Sequence, residues 1–250
     1  MEQPDLLKVL ESPERLRVLL ETELLDSEAE EVFDRLTRLA ARLLDAPTAV
    51  VSLIDAKRQF LKSSHGLGGV PGAERNTPLT HSFCKYTVAT NQPLVVENAP
   101  EHPLVRDNLA VSEYGVRAYA GVPIGAGDQP LGALCVVDQK PRAWSSDQVQ
   151  LLRDLARAAS AEIELRLALK RLRVRDAMVR AFTASTSDAI VTADREGNIV
   201  FWNPAAEEMF GWARADVLGR ELAETIIPPA ARAAHRAGLA RYLATSETSL

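Results

Sequence analysis

From Ser145 onward the chain carries no glycine or proline until Gly197. Within that stretch, Ser145 to Ser185 places apolar residues at helical intervals, which predicts one long helix with separate folded zones before and after it. Leu151, Leu155, Ala158, Leu165, Leu169, Leu172 and Val179 follow a seam of alternating four- and three-residue steps, with Glu162 and Asp176 filling the two remaining seam positions. A carboxylate in a seam weakens a rigid zipper. A second stripe, Leu152, Ala156, Ala159, Ile163 and Leu167, runs beside the first. Two stripes predict a helix that packs on its own domain early and on a partner helix later. Its second half is basic (Arg166, Lys170, Arg171, Arg173, Arg175 and Arg180) and reads as a solvated face.

The zone before the helix mixes helix and strand. Residues 28–44 repeat apolar positions at Val32, Leu36, Leu39 and Leu43, with Asp26 and Ser27 as N-cap candidates. Residues 49–54 form a continuous apolar, β-branched run, and 59–64 alternate, so 54–58 reads as a hairpin link. Gly66, Gly68, Gly69, Pro71 and Gly72 make an irregular loop. His81 to Thr90 reads as a short helix and 94–97 as a short strand. Residues 118–124 and 131–137 read as two strands joined by a turn. Short links between strands favour an antiparallel sheet flanked by helices, an α+β fold. After the long helix, 189–193 and 199–202 read as a hairpin around Asp194–Asn198. Asn203–Pro204 then opens a short helix ended by Gly211, and 230–243 forms a last amphipathic helix.

A length of 250 residues, 46% hydrophobic and 25% charged, is enough for two cored domains and excludes wholesale disorder. The net charge of −5 gives no electrostatic reason to seek nucleic acid or anionic membrane. With no leader pattern and no apolar run near membrane-spanning length, the chain reads as cytosolic. Its two cysteines, Cys84 and Cys135, lie far apart and would stay reduced there; their plainest reading is as small core residues. No phosphate-binding loop, dinucleotide fingerprint or nucleophile elbow is present, so no catalytic function is expected of these residues.

The stretch from Asp188 to Glu207, followed by Phe210–Gly211–Trp212, resembles a PAS domain over 186–250. A complete PAS domain has three further strands, so the chain is expected to stop inside that fold. The segments Phe33–Leu36, Val50–Asp55, His81–Cys84, Gly121–Ile124 and Leu131–Asp138 resemble a bacterial GAF domain over 14–165, whose last helix overlaps the 145–185 signalling helix. The resemblance implies a small-molecule or redox sensing module, homodimeric through its terminal helices. Such modules sit upstream of a histidine kinase, a cyclic-di-nucleotide enzyme or a phosphatase.

Candidate site residues follow. His81 and Cys84 share a face if their segment is helical, and a thiol near an imidazolium has a lowered pKa. The Cys–His pair of bilin-binding GAF domains is absent. A metal site would have to draw on His65, His81, His102 and the two thiols, without close ligand spacing. Arg117 and Tyr119, two residues apart on a strand, would point together into a GAF cavity and hold an anionic ligand. Cys135 completes the set. In the PAS zone, His235 and Arg241 match the positions that bind haem iron and a propionate in rhizobial oxygen-sensing PAS kinases; the cofactor, if any, is otherwise unknown. The rival readings are a thiol enzyme of the free-methionine sulfoxide reductase type and a ligandless dimerisation scaffold.

Overall fold

A computed structural model describes residues 3–67 and 75–246. The chain divides into two compact units, residues 1–170 and 171–250. In the first, α1 (Gln3–Leu10), α2 (Pro13–Glu21) and α3 (Glu31–Leu43) precede a hairpin of β1 (Thr48–Ile54) and β2 (Arg58–His65). Then come β3 (Asn76–Pro78), α4 (Cys84–Thr90), β4 (Leu94–Val96), α5 (Leu109–Glu113), β5 (Ala118–Ala126) and β6 (Gln129–Asp138). The six strands form one antiparallel sheet in the order β3-β2-β1-β6-β5-β4. Of the glycine-rich loop, Gly68, Gly69, Pro71 and Gly72 lie outside the described residues.

Strand alternation sorts the core into two layers. Ala49, Val51, Leu53, Leu134 and Val136 face one side with α2 and α3 and with α6 (Ser146–Ser185), whereas Val50, Ile54, Ala133 and Cys135 face the other with α1, α4 and α5. Both faces of β1 and β6 are therefore buried, which is why their sequences read as unbroken apolar runs. On α6 the buried stripe is Leu152, Ala156, Ala159, Ile163 and Leu167. The seam beside it stays open within this chain at Leu165, Leu169, Leu172 and Val179.

Two sequence expectations change. The N-cap of α3 is Glu30, with no side-chain cap bond. Asp26 instead pairs with Arg58, and Ser27 Oγ accepts from Lys62 Nζ at 2.6 Å. Strand β2 does not alternate cleanly, because a bulge at Lys62 sets Ser63 opposite Val51 and Leu61 opposite Ser52. Lys62 shares the α3 side of the core with Phe60, two residues before it, and is fully buried; the bulge brings Ser63 to the same side, where its Oγ donates to Asp34 Oδ1 at 2.6 Å. At the N-terminus, α1 and α2 lie ahead of the elements read from the sequence. They are locked to the sheet by the buried Arg15, which donates to the Ile54 carbonyl at 2.7 Å and to those of Val9 and Leu10. Burial lowers its guanidinium to about 10.

In the second unit, β7 (Val191–Ala193) and β8 (Ile199–Trp202) form the hairpin, and α7 (Pro204–Phe210), α8 (Arg214–Val217), α9 (Leu222–Thr225) and α10 (Arg232–Ser246) follow. Asp194 Oδ1 accepts the Asn198 N–H at 2.7 Å, closing the turn in which Gly197 takes φ +87°. Ile199, Trp202, Ala206 and Val217 make a small core. Among the described residues no helix is long and apolar enough to cross a membrane.

Candidate functional site

Between the sheet and helices α4 and α5 lies a cavity of about 140 Å³. Val50, Leu61, Phe83, Tyr119, Cys84 and Cys135 supply its inner wall, and Gly66 and Gln139, both exposed, stand at its rim. The sulfurs of Cys84 and Cys135 are 3.6 Å apart, although 51 residues separate them in sequence. Strand register explains this approach. Cys135 pairs with Val50 on one side and Gly121 on the other, in mid-sheet, and α4 packs its first residue, Cys84, against that spot.

Tyr119 completes the arrangement. Its hydroxyl donates to Cys84 Sγ at 3.3 Å and lies 3.2 Å from Thr87 Oγ1, which donates to it in turn. Gly121, two residues along the same strand face, makes room for this. A Cβ there would lie 2.0 Å from the Tyr119 hydroxyl, so the ring lies flat where a side chain would otherwise stand. Phe83 packs edge-on against the same ring, centroids 5.4 Å apart.

The hydrogen bond from Cys135 lowers the Cys84 thiol to about 7; burial opposes this, and Ser52 and Tyr119 reinforce it. The bond to Cys84, together with burial, pushes the Cys135 thiol well up. Burial also raises Tyr119, with the two sulfurs adding to it. The pair is thus asymmetric, one thiol prepared to ionise and the other held protonated as its donor.

His81 joins the cavity lining but not the thiols. Residues 79–81 form a single 3-10 turn, Ser82 is extended, and α4 begins only at Cys84, so the shared helical face does not exist. Ser82 Oγ accepts the Lys85 N–H at 3.1 Å, which starts the helix there. The His81 Nε2–H donates instead to Glu113 at 2.9 Å. Arg117 is also corrected. It precedes β5, does not line the cavity, and its guanidinium donates to the Val111 carbonyl at 2.9 Å. Tyr119 alone of that pair reaches the cavity. Among the described residues no three His, Cys, Asp or Glu side chains are grouped to hold a metal ion.

In the second unit His235 lines a groove with Arg195, Glu196, Glu221, Arg236 and Leu239, and Arg241 is not part of that lining. Glu221 is ion-paired to Arg236 at 2.5 Å. His235 Nδ1 is buried without a hydrogen-bond partner, whereas a metal-ligating imidazole is normally oriented by one. Ala223, Leu239, Ala240 and Leu243 add apolar surface to the same groove.

The residues that sequence reasoning missed are Thr87, Ser52 and Gly121. Gly121 and Ser52 enter the sequence reading only as parts of family segments and Thr87 not as a site residue, because each acts through a neighbour that only the fold brings to it.

The sequence profile of the GAF domain matches residues 28–163, and that of the PAS fold matches residues 177–249. A cyclic di-GMP phosphodiesterase of Pseudomonas aeruginosa is 35% identical over 143 residues, covering 56% of this chain and 24% of that protein. Sensor protein FixL of Bradyrhizobium diazoefficiens is 30% identical over 76 residues, 30% of this chain and 15% of that protein. The chain thus spans a quarter or less of either relative. Among solved structures, the GAF domain of an Acinetobacter phosphoenolpyruvate-protein phosphotransferase superposes with a TM-score of 0.46 at 21% identity, covering 65% of this chain and 94% of that one. With its profile matched over more than half of the residues, the chain belongs to the GAF domain family, and a PAS fold follows the GAF domain.

Proposed function

We propose that the chain is a sensory input module of a bacterial signal-transduction protein. The GAF cavity takes up a small ligand or registers redox state, and α6 relays the change. In this reading the chain is a cytoplasmic homodimer through its terminal GAF helices, the 250 residues perform no catalysis, and the effector is a downstream histidine kinase or cyclic-di-nucleotide enzyme. The observation that supports it is the placement of the cavity. Cys135 faces it, while Leu134 and Val136 on the same strand face the layer that receives α6, so a change in the cavity wall bears on the helix through one strand.

Light scattering of the intact chain tests the dimer, with Leu165→Glu/Leu172→Glu as the control that opens the exposed seam. A dimer reduced to a monomer by the double substitution agrees with the relay; a monomeric parent chain overturns it. Thermal shift with a panel of amino acids, methionine sulfoxide and cyclic nucleotides tests the ligand.

A second reading, a thiol enzyme of the free-methionine sulfoxide reductase type, is favoured by the 3.6 Å approach of the two sulfurs. Turnover of methionine sulfoxide that vanishes in Cys84→Ser would establish it. A sensor shows no turnover in either form.

A further inference from the structure

We propose that Cys84 and Cys135 are an oxidative modification site, in which a peroxide entering the GAF cavity converts the two thiols into a reversible intrachain disulfide, Cys84 attacking and Cys135 resolving. The use of this bond as a signal rests on the sensory reading above, but its chemistry does not.

Three features of the geometry carry it. The sulfurs already touch at 3.6 Å, and a disulfide bond of about 2.05 Å needs them to close by roughly 1.5 Å. That is within reach of side-chain rotation together with a small shift of the first turn of α4. Both sulfurs border a cavity whose rim includes exposed Gly66 and Gln139, so a molecule the size of a peroxide has a route to residues otherwise buried. Finally, Tyr119 aims its hydroxyl at Cys84 Sγ at 3.3 Å, a donor placed to stabilise a thiolate at Cys84. The chain has no third cysteine to divert the reaction.

The steps balance. The Cys84 thiolate attacks one oxygen of hydrogen peroxide and the O–O bond breaks, giving a sulfenic acid and hydroxide, which takes up a proton to become water. Cys135 then attacks the Cys84 sulfur; the S–S bond forms, the S–O bond breaks, and the hydroxyl leaves as a second water with the Cys135 proton. Two thiols are oxidised by two electrons and one peroxide is reduced. A dithiol such as dithiothreitol reverses the bond and is itself oxidised to a disulfide.

The consequence lies in β6. Cys135 is drawn toward α4 on one face, and its neighbours Leu134 and Val136 move in the layer that packs α6.

The test uses the intact chain and hydrogen peroxide. Expected are the loss of both titratable thiols, a mass decrease of two hydrogens without dimer cross-linking, and full recovery with dithiothreitol. In Cys135→Ser, a dimedone adduct should appear on Cys84. Two thiols still titratable after peroxide would overturn the proposal, as would a dimedone adduct on Cys135 in Cys84→Ser at the rate seen for Cys84. Because the parent protein alone gives the mass result, a variant that misfolds does not block the decision. A disulfide that forms while a spin label on α6 reports no change upholds the chemistry and counts against the sensory reading; no disulfide, with a ligand-induced thermal shift intact, does the reverse.

Discussion

Glu30 accepts a hydrogen bond from Lys62 Nζ at 2.6 Å through one carboxylate oxygen, while its other oxygen receives Arg166 of α6. Lys62 is fully enclosed, and its ammonium spends its remaining protons on Ser27 Oγ and the Glu28 carbonyl, each at 2.6 Å. One carboxylate thus neutralises a buried cation from a strand bulge and holds α6 beside it. Replacing Glu30 by Gln leaves Lys62 buried without its counter-charge and is expected to cost about 3 kcal/mol. In urea denaturation the midpoint should fall with little change in slope. Lys62→Met added to Glu30→Gln should recover part of the loss, because the charge that needed a partner is gone.

The same carboxylate gives an acid dependence. Burial, the largest single influence, pushes Glu30 up, but the bonds and charges of Lys62 and Arg166 together outweigh it, and the group sits below its ordinary value. A depressed folded-state pKa contributes stability that is fully present above the unfolded value, about 4.3, and is lost as pH falls through the folded one. The stability difference between the parent and Glu30→Gln should therefore be constant near neutrality and shrink below about pH 4. A difference that persists unchanged into stronger acid would remove Glu30 as its source.

Much of the fold was legible because its signals are local. The run without glycine or proline gave α6, and the apolar strands 49–54, 118–124 and 131–137 were found because both faces of β1, β5 and β6 are buried. What stayed hidden depends on register. Ser63 shows this: alternation sets it opposite in facing to Lys62, and only the skipped register at Lys62 puts both on the α3 side of the core. Cys84 and Cys135 were both singled out, yet their contact follows from the pairing of Val50 with Cys135 and the seating of α4, neither of which leaves a mark in sequence spacing. Arg117 misled for the opposite reason: parity gave it the right side of the strand, but the nearby Val111 carbonyl captures its guanidinium.

Tyr119→Phe removes the hydroxyl that donates to Cys84 while keeping the ring that fills the space above Gly121. The Cys84 thiol, near 7 in the parent protein, should rise by roughly half to one unit, the worth of one such hydrogen bond. The pH profile of iodoacetamide alkylation at Cys84 reads this directly. Gly121→Ala should shift the profile the same way, since the added methyl displaces the ring from its hydrogen bond. An unchanged profile in both variants would show that Tyr119 does not tune the thiol.

Asn203 is the corresponding fixed point of the second unit. It is fully buried, and its amide makes four hydrogen bonds. Oδ1 accepts from Ile190 N at 2.8 Å and Ala206 N at 2.9 Å, and Nδ2 donates to the carbonyls of Thr183 and Asp188, both at 2.9 Å. It therefore caps α7 and at the same time ties the end of α6 to the strand that begins the hairpin. Asn203→Ala removes the acceptor of the Ile190 N–H and the side-chain cap of Ala206 N–H, which keeps its bond to the Asn203 backbone carbonyl at 3.0 Å, and should cost about 2 kcal/mol within this unit. Asn203→Ser, which retains a cap acceptor for Ala206, should cost less. Hydrogen exchange of β7, β8 and the first turn of α7 is expected to accelerate in the Ala variant while β1 and β5 keep their protection. Equal loss of protection in β1 and β5 would mean that Asn203 acts beyond the junction its four bonds define.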